Sequence, residues 1–188
     1  AEWLHIAYGV AAVGATLVPF STWSTADEID FLVEDSGVRR VFLSPRIGNQ
    51  DFAAVFGSLA AMGRIDQLIA IGTSPMPGAE PLEMFVGDAE PYTHVPGIGV
   101  SAGDTFVVLY TSGSSNRPKS VPLEHYATIE NGFAIGERQG LTPDDRVLIS
   151  IPLFWSYGAV NALPAVLSHG AAMVLQPRFE AQGAVDLI

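Results

Sequence analysis

Phe106-Val-Val-Leu-Tyr110 runs directly into Thr111-Ser-Gly-Ser-Ser-Asn-Arg-Pro-Lys119-Ser120-Val-Pro122. The first five residues, β-branched, aliphatic and aromatic, read as a strand. The next nine are small, hydroxyl-bearing or cationic, and they end in the only lysine of the chain. Gly113 to Lys119-Ser120 has the spacing of a Walker A loop, but Pro118 stands where that loop needs its second glycine. Proline removes both a backbone donor and access to positive φ. Val121 and Pro122 extend the run rather than open a helix, which disfavours a Walker-type NTPase. The atoms still suit an anionic, oxygen-rich ligand such as a polyphosphate. Thr111, Ser112, Ser114 and Ser115 offer hydroxyls, Gly113 permits close backbone approach, and Arg117 and Lys119 bring positive charge. Composition by itself favours the plainer account, a solvated Ser-rich turn.

Outward from this stretch, helical and strand patterns alternate. Upstream, residues 2–14 carry Trp3, Ile6, Val10 and Val13 at helical spacing, and 16–20 is a short strand candidate. Thr25 followed by Glu28 reads as a capping box, opening a helix through Glu34 that stops at Gly37. A strand at 41–43, a helix at 51–62 and a strand at 68–71 follow. Downstream, a helix at 124–139 closes at Gly140, then come a strand at 146–151, a helix at 156–168 in spite of Pro164, a strand at 171–175 and the start of another apolar helix. The rhythm predicts an α/β fold with mostly parallel sheets and helices on both faces. It breaks at 72–104, where prolines at 75, 77, 81, 91 and 96 make a long Pro/Gly-rich connection. This reads as an excursion within one domain rather than a linker, because the same rhythm resumes after it.

The 188 residues hold 20 Asp and Glu against 9 Lys and Arg, a net charge of -11, and no cysteine. Such a chain has no general basic field for nucleic acid, no disulfide framework, no thiolate zinc site and no cysteine nucleophile. It is apolar, 48% hydrophobic and only 15% charged where about 25% is usual. The uncharged stretches 3–20 and 147–177 are broken by prolines, glycines and polar residues, so no membrane span is expected. The first residues have no basic n-region and no small-residue cleavage site, which argues against a secretory signal and for a cytoplasmic location. Opening on Ala-Glu-Trp without Met reads as a chain that begins in mid-protein. The surplus of apolar side chains then points to faces that some absent partner should cover, and to self-association without it.

Two further motifs fail on context. Gly97-Ile-Gly99-Val-Ser-Ala102 fits a relaxed dinucleotide fingerprint and Gly99-Val-Ser101-Ala-Gly103 spells a nucleophile elbow. Both require a strand before and a helix after, and here the order is reversed. Ile151-Pro-Leu-Phe-Trp155-Ser-Tyr157-Gly158 places aromatic residues just beyond a strand, where parallel sheets collect ligands. Taken alone, Trp155 reads as a core or interface residue in preference to the wall of an apolar pocket. His5, His94, His125 and His169 show no metal-ligand spacing, and Glu124 suits the start of a helix electrostatically.

In combination and in order, these stretches resemble the AMP-forming adenylating superfamily, specifically its acyl-CoA synthetases. Tyr110-Thr-Ser-Gly-Ser-Ser-Asn-Arg-Pro-Lys119-Ser-Val121 is similar to the phosphate loop Y-T-S-G-S-T-G-x-P-K-G-V, and Ile151 to Gly158 to the motif P-x-F-H/W-x-x-G. Gly14-Ala-Thr-Leu-Val-Pro-Phe20 and Leu32-Val-Glu-Asp-Ser-Gly37 follow the family's amino-terminal pattern. The resemblance implies part of the large amino-terminal domain of an acid–CoA ligase, covering 1–188, with the carboxy-terminal domain absent. Such ligases, familiar from fatty acid metabolism, activate a carboxylic acid with ATP and Mg2+ and pass the acyl group to CoA. The implied ATP phosphate-binding residues are Thr111, Ser112, Gly113, Ser114, Ser115, Asn116, Arg117 and Lys119, with Ser115 near Mg2+. Trp155 and Gly158 would border the acid. The family's Tyr-Gly-x-Thr-Glu segment and catalytic lysine would lie beyond Ile188, so no complete catalytic set is expected and the chain alone should be inactive. Asn116 and Ser120 replace family glycines, which keeps a non-catalytic acyl- or nucleotide-binding relative as the alternative.

Overall fold

The computed structural model describes residues 2–87, 99–111, 117–176 and 179–187. The chain divides into two compact units, one of Phe20–Pro96 and one of Trp3–Pro19 with Gly97–Ile188. Helix α1 (Glu2–Ala12) opens the chain.

The Phe20–Pro96 unit begins with α2 (Ala26–Ser36), and the expected capping box is formed. Thr25 N–H donates to Glu28 Oε2 at 2.8 Å and Glu28 N–H to Thr25 Oγ1 at 3.3 Å. Two donors that a helix start leaves orphaned are thereby satisfied. Gly37, left-handed at φ 66, ends the helix at a conformation that penalises a Cβ. Strand β1 (Arg40–Leu43) leads through a minute hairpin, β2 (Arg46–Ile47) and β3 (Gln50–Asp51), into α3 (Phe52–Ala61) and then β4 (Gln67–Ala70). β1 and β4 pair in parallel, so α3 is the crossover that parallel strands require. Ile29 and Val33 of α2 and Phe52, Phe56 and Leu59 of α3 bury their apolar stripes in one core with Leu43 and Leu68. Phe20 stacks on Phe56 with ring centroids 6.4 Å apart.

The stretch 72–104 is more structured than its composition predicts. β5 (Glu80–Pro81) pairs in parallel with β4, and α4 (Leu82–Val86) follows at once. A two-residue strand ending in proline carries no periodicity, so its pairing is not visible in the sequence.

In the other unit β6 (Thr105–Thr111) pairs antiparallel with β7 (Lys119–Glu124), and α5 (His125–Gln139) follows, closed by left-handed Gly140. β8 (Arg146–Ile149) then leads to a π-helical turn, Tyr157–Ala162, that continues into α6 (Leu163–Ser168). β9 (Ala172–Leu175) pairs in parallel with β8, and α7 (Ala181–Asp186) is the last element described. The strand expected at 16–20 is reduced to a single parallel bridge, Leu17 with Val107. Leu17 N–H donates to the Phe106 carbonyl and Val108 N–H to the Leu17 carbonyl, both at 2.9 Å. Pro19, with no N–H, cannot extend that ladder. The helix expected at 156–168 is present but not uniform, since its first half is π-helical. No helix among the described residues is long and apolar enough to cross a membrane.

Candidate functional site

β6 buries Phe106, Val107 and Leu109 and brings Thr111 to its exposed end. Thr111 faces Lys119 across the hairpin, and its hydroxyl lies 3.5 Å from the Lys119 carbonyl. The connection between these two residues is therefore closed at its neck by strand pairing. Of the sequence-nominated phosphate residues, Thr111, Arg117 and Lys119 are placed here, all exposed. Ser112, Gly113, Ser114, Ser115 and Asn116, including the nominated magnesium ligand, lie outside the described residues.

Lys119 opens a strand. A Walker A loop presents its lysine at the amino terminus of a helix, so this geometry is not that of a P-loop NTPase. Ser120 is an exposed strand residue paired with Tyr110, a position at which a side chain is no obstacle. Ser101 sits in a turn that leads into β6, its N–H donating to Asp104 Oδ2 at 2.7 Å, so the elbow order of strand then helix is absent at Ser101.

The second nominated segment follows the carboxyl end of β8. Trp155 is 46% exposed and meets Phe154 edge-on at 5.7 Å. Its N–H reaches the Pro152 carbonyl at 3.4 Å, and its own carbonyl accepts from Ala159 N–H at 2.8 Å. Gly158 is buried, and a Cβ there would lie 2.6 Å from the Pro152 carbonyl oxygen and 2.9 Å from Leu153 Cα. Only glycine lets residues 152–153 and 158 approach this closely. Beside this segment an open cavity of about 420 Å³ is lined by Ile149, Ile151, Tyr157, Asn161, Ala162 and Val166.

Sequence reasoning missed Asn131. This residue of α5 donates through Nδ2 to the Val160 carbonyl at 3.2 Å and to Asn161 Oδ1 at 2.8 Å. α5 lies against α6 through its glycines. A Cβ on Gly132 would sit 2.5 Å from Pro164 Cβ, and one on Gly136 would collide with the His169 ring. A signal was available in Pro164, which cannot donate to residue 160, so a carbonyl inside the helix needed a donor from elsewhere. Glu124 occupies the cap position of α5 but makes no side-chain cap bond. His169, its side chain 7% exposed, contacts Glu137 Oε1 through Nε2 at 3.2 Å and stacks on Phe133, so its role here is to pack α5 against α6.

Residues 1–188 match the family model described as AMP-binding enzyme. An indoleacetate–CoA ligase of Aromatoleum aromaticum is 30% identical over 189 residues, covering 100% of this chain and 35% of that protein. A 4-hydroxybenzoate–CoA/benzoate–CoA ligase of Rhodopseudomonas palustris is 30% identical over 171 residues, covering 90% and 30%. Among solved structures, apo MatB from Rhodopseudomonas palustris superposes with a TM-score of 0.83 at 23% identity over 99% of this chain and 35% of that one, a likeness of fold. The chain spans about a third of the length of the curated relatives it matches.

Proposed function

Since the chain belongs to the AMP-binding enzyme family, we propose that it serves as the amino-terminal part of an ATP-dependent acid–CoA ligase. In that reaction a carboxylate oxygen attacks the α-phosphorus of ATP, the bond to the bridging oxygen breaks, and pyrophosphate leaves. The thiol of CoA then displaces AMP from the acyl-adenylate. A carboxylate is a poor acyl donor because its leaving group would be oxide, and adenylation substitutes a stable phosphate anion.

The observation that carries this reading is the β6–β7 hairpin, whose closed neck presents Thr111 and Lys119 at the ends of a connection rich in hydroxyls. Thr111 to Lys119 hold the β- and γ-phosphates, with hydroxyl and backbone donors orienting them and Arg117 and Lys119 countering their charge. Magnesium would supply further charge neutralisation on the phosphates, and the hydroxyl of Ser115 is the hard oxygen donor that suits it. Trp155 and Gly158 bound the acid, Trp155 with an exposed aromatic face and Gly158 by allowing the tight turn beneath it. The names of the two ligases given above favour a compact aromatic acid over a long acyl chain. The same reading expects the enzyme in the cytoplasm, where ATP and CoA are at hand.

The test uses the protein encoded by the complete open reading frame, assayed for pyrophosphate release with aryl, short and long acids, with and without CoA. Acid-dependent release followed by CoA thioester formation is expected. ATP hydrolysis indifferent to any acid would overturn the proposal. A silent protein that gains acid-dependent release on Asn116→Gly would instead identify a decayed, binding-only relative.

A further inference from the structure

An α-helix running through residues 157–168 would require Pro164 to donate to the Val160 carbonyl, and proline has no N–H. The chain widens the turn instead, and Leu163 N–H donates to Gly158 O, five residues back. The Val160 carbonyl is satisfied from outside its own segment, by Asn131 Nδ2 at 3.2 Å. The same nitrogen reaches Asn161 Oδ1 at 2.8 Å, so one amide grips the π-helical turn at two successive residues. Gly132, the next residue of α5, has no Cβ to hold it away from Pro164, which fixes the reach of the amide.

We infer that Asn131 is a positioning residue: its amide holds the π-helical turn open and thereby sets the direction in which Trp155 faces the acid. This rests on the ligase reading for the identity of what Trp155 faces. The mechanical part stands on geometry. A turn that tightened to α-helical register would rotate the preceding residues by about 100° relative to α6. Gly158 packs on the 152–153 backbone, and Trp155 is hydrogen-bonded to both Pro152 and Ala159, so residues 152–159 move as one block. Rotation of the turn therefore reaches the indole. Wide turns of this kind recur at functional sites, where they aim a side chain that a regular helix would direct elsewhere.

The experiment labels the complete protein with 5-fluorotryptophan and follows the fluorine resonances of Trp3, Trp23 and Trp155, assigning the last with Trp155→Phe. Asn131→Asp exchanges the amide nitrogen for an oxygen at nearly constant shape. Asn131→Ala is the second variant, at an exposed helical position where alanine is the best helix former. In both, the Trp155 resonance moves or splits while the other two stay. KM for the acid rises about tenfold or more with KM for ATP unchanged, the mark of a misaimed acid wall. An unmoved Trp155 resonance in the folded variants overturns the inference, and so does an equal disturbance of all three tryptophans. Wild-type protein without acid-dependent pyrophosphate release sinks the ligase reading and the KM arm with it, whereas the fluorine spectra still decide whether Asn131 aims Trp155.

Discussion

Lys119 is the one lysine among 188 residues that carry a net charge of -11, and it stands at the neck of the hydroxyl-rich connection. In an acidic protein an anion site has to be built from local charges, because the long-range field repels the ligand. A charge-assisted hydrogen bond contributes about 1.5–3 kcal/mol, so under the ligase function proposed above Lys119→Ala in the complete protein should raise KM for ATP by roughly 10- to 100-fold. Unchanged ATP kinetics would remove Lys119 from the phosphate site. Tyr8 of α1 is a different kind of residue-scale reporter. Partial burial of its phenol pushes the pKa from 10.0 up to about 12. The neutral form is the one the fold favours, so stability is whole below pH 10 and declines as pH rises through about 12. Because 41% of Tyr8 stays exposed, solvent screening limits how much stability this titration carries. Ultraviolet titration should show a late-ionising phenol that disappears in Tyr8→Phe, and a late step that persists in that variant would refute the assignment.

At the scale of elements, α5 is the organising helix, since it follows the strand that carries Lys119 and packs by its glycines on α6. Gly132→Ala would drive a methyl to 2.5 Å from Pro164 Cβ and 2.7 Å from its carbonyl carbon. Such overpacking costs about 1–3 kcal/mol, against the roughly 0.8–1 kcal/mol that alanine gains over glycine in helix propensity, so the net change is destabilising. Thermal melting of Gly132→Ala should therefore begin several degrees lower, and an unchanged or higher midpoint would mean that the two helices can separate without cost. Sequence patterns revealed those features that are settled locally. The box of Thr25 and Glu28, the stops at Gly37 and Gly140 and the crossover helix between β1 and β4 all depend on residues a few positions apart. The π-helical turn is not legible in local pattern because its donor, Asn131, is thirty residues from its neighbour Asn161, and Pro164 signals that a donor is needed without saying which residue supplies it. The sequence of β7 predicts only an extended run, because an edge strand containing Pro122 and exposed at most positions has neither alternation nor a continuous apolar pattern. For the candidate site, residue chemistry nominated Thr111 to Lys119, whereas the close approach that makes Gly158 indispensable to its turn emerges only when residues 152–153 are folded against it.

For the whole molecule the surplus of apolar side chains acquires locations. Tyr126, Ile129 and Phe133 of α5 stand 58%, 55% and 46% exposed. Their spacing of three and four residues puts them along one helix face. Trp155 and Tyr157 add 46% and 54%-exposed aromatics after β8. Contiguous apolar patches of this kind are unusual on monomers and promote association. The net charge of -11 opposes it, because two copies repel before their apolar faces meet. These two terms respond differently to salt. Raising ionic strength to about 0.1 M shortens the screening length to about 10 Å, which weakens the repulsion and leaves apolar burial intact. The 188-residue chain alone should therefore elute near monomer size from a gel-filtration column at low salt and low concentration, and shift to larger, concentration-dependent species as salt is added. Glutamate at positions 126 and 129, introduced as Tyr126→Glu with Ile129→Glu, should abolish the shift while leaving the far-ultraviolet circular dichroism unchanged, since both side chains are exposed. A monomer at every salt and concentration, with little dye-accessible apolar surface, would show that this face is already covered from within.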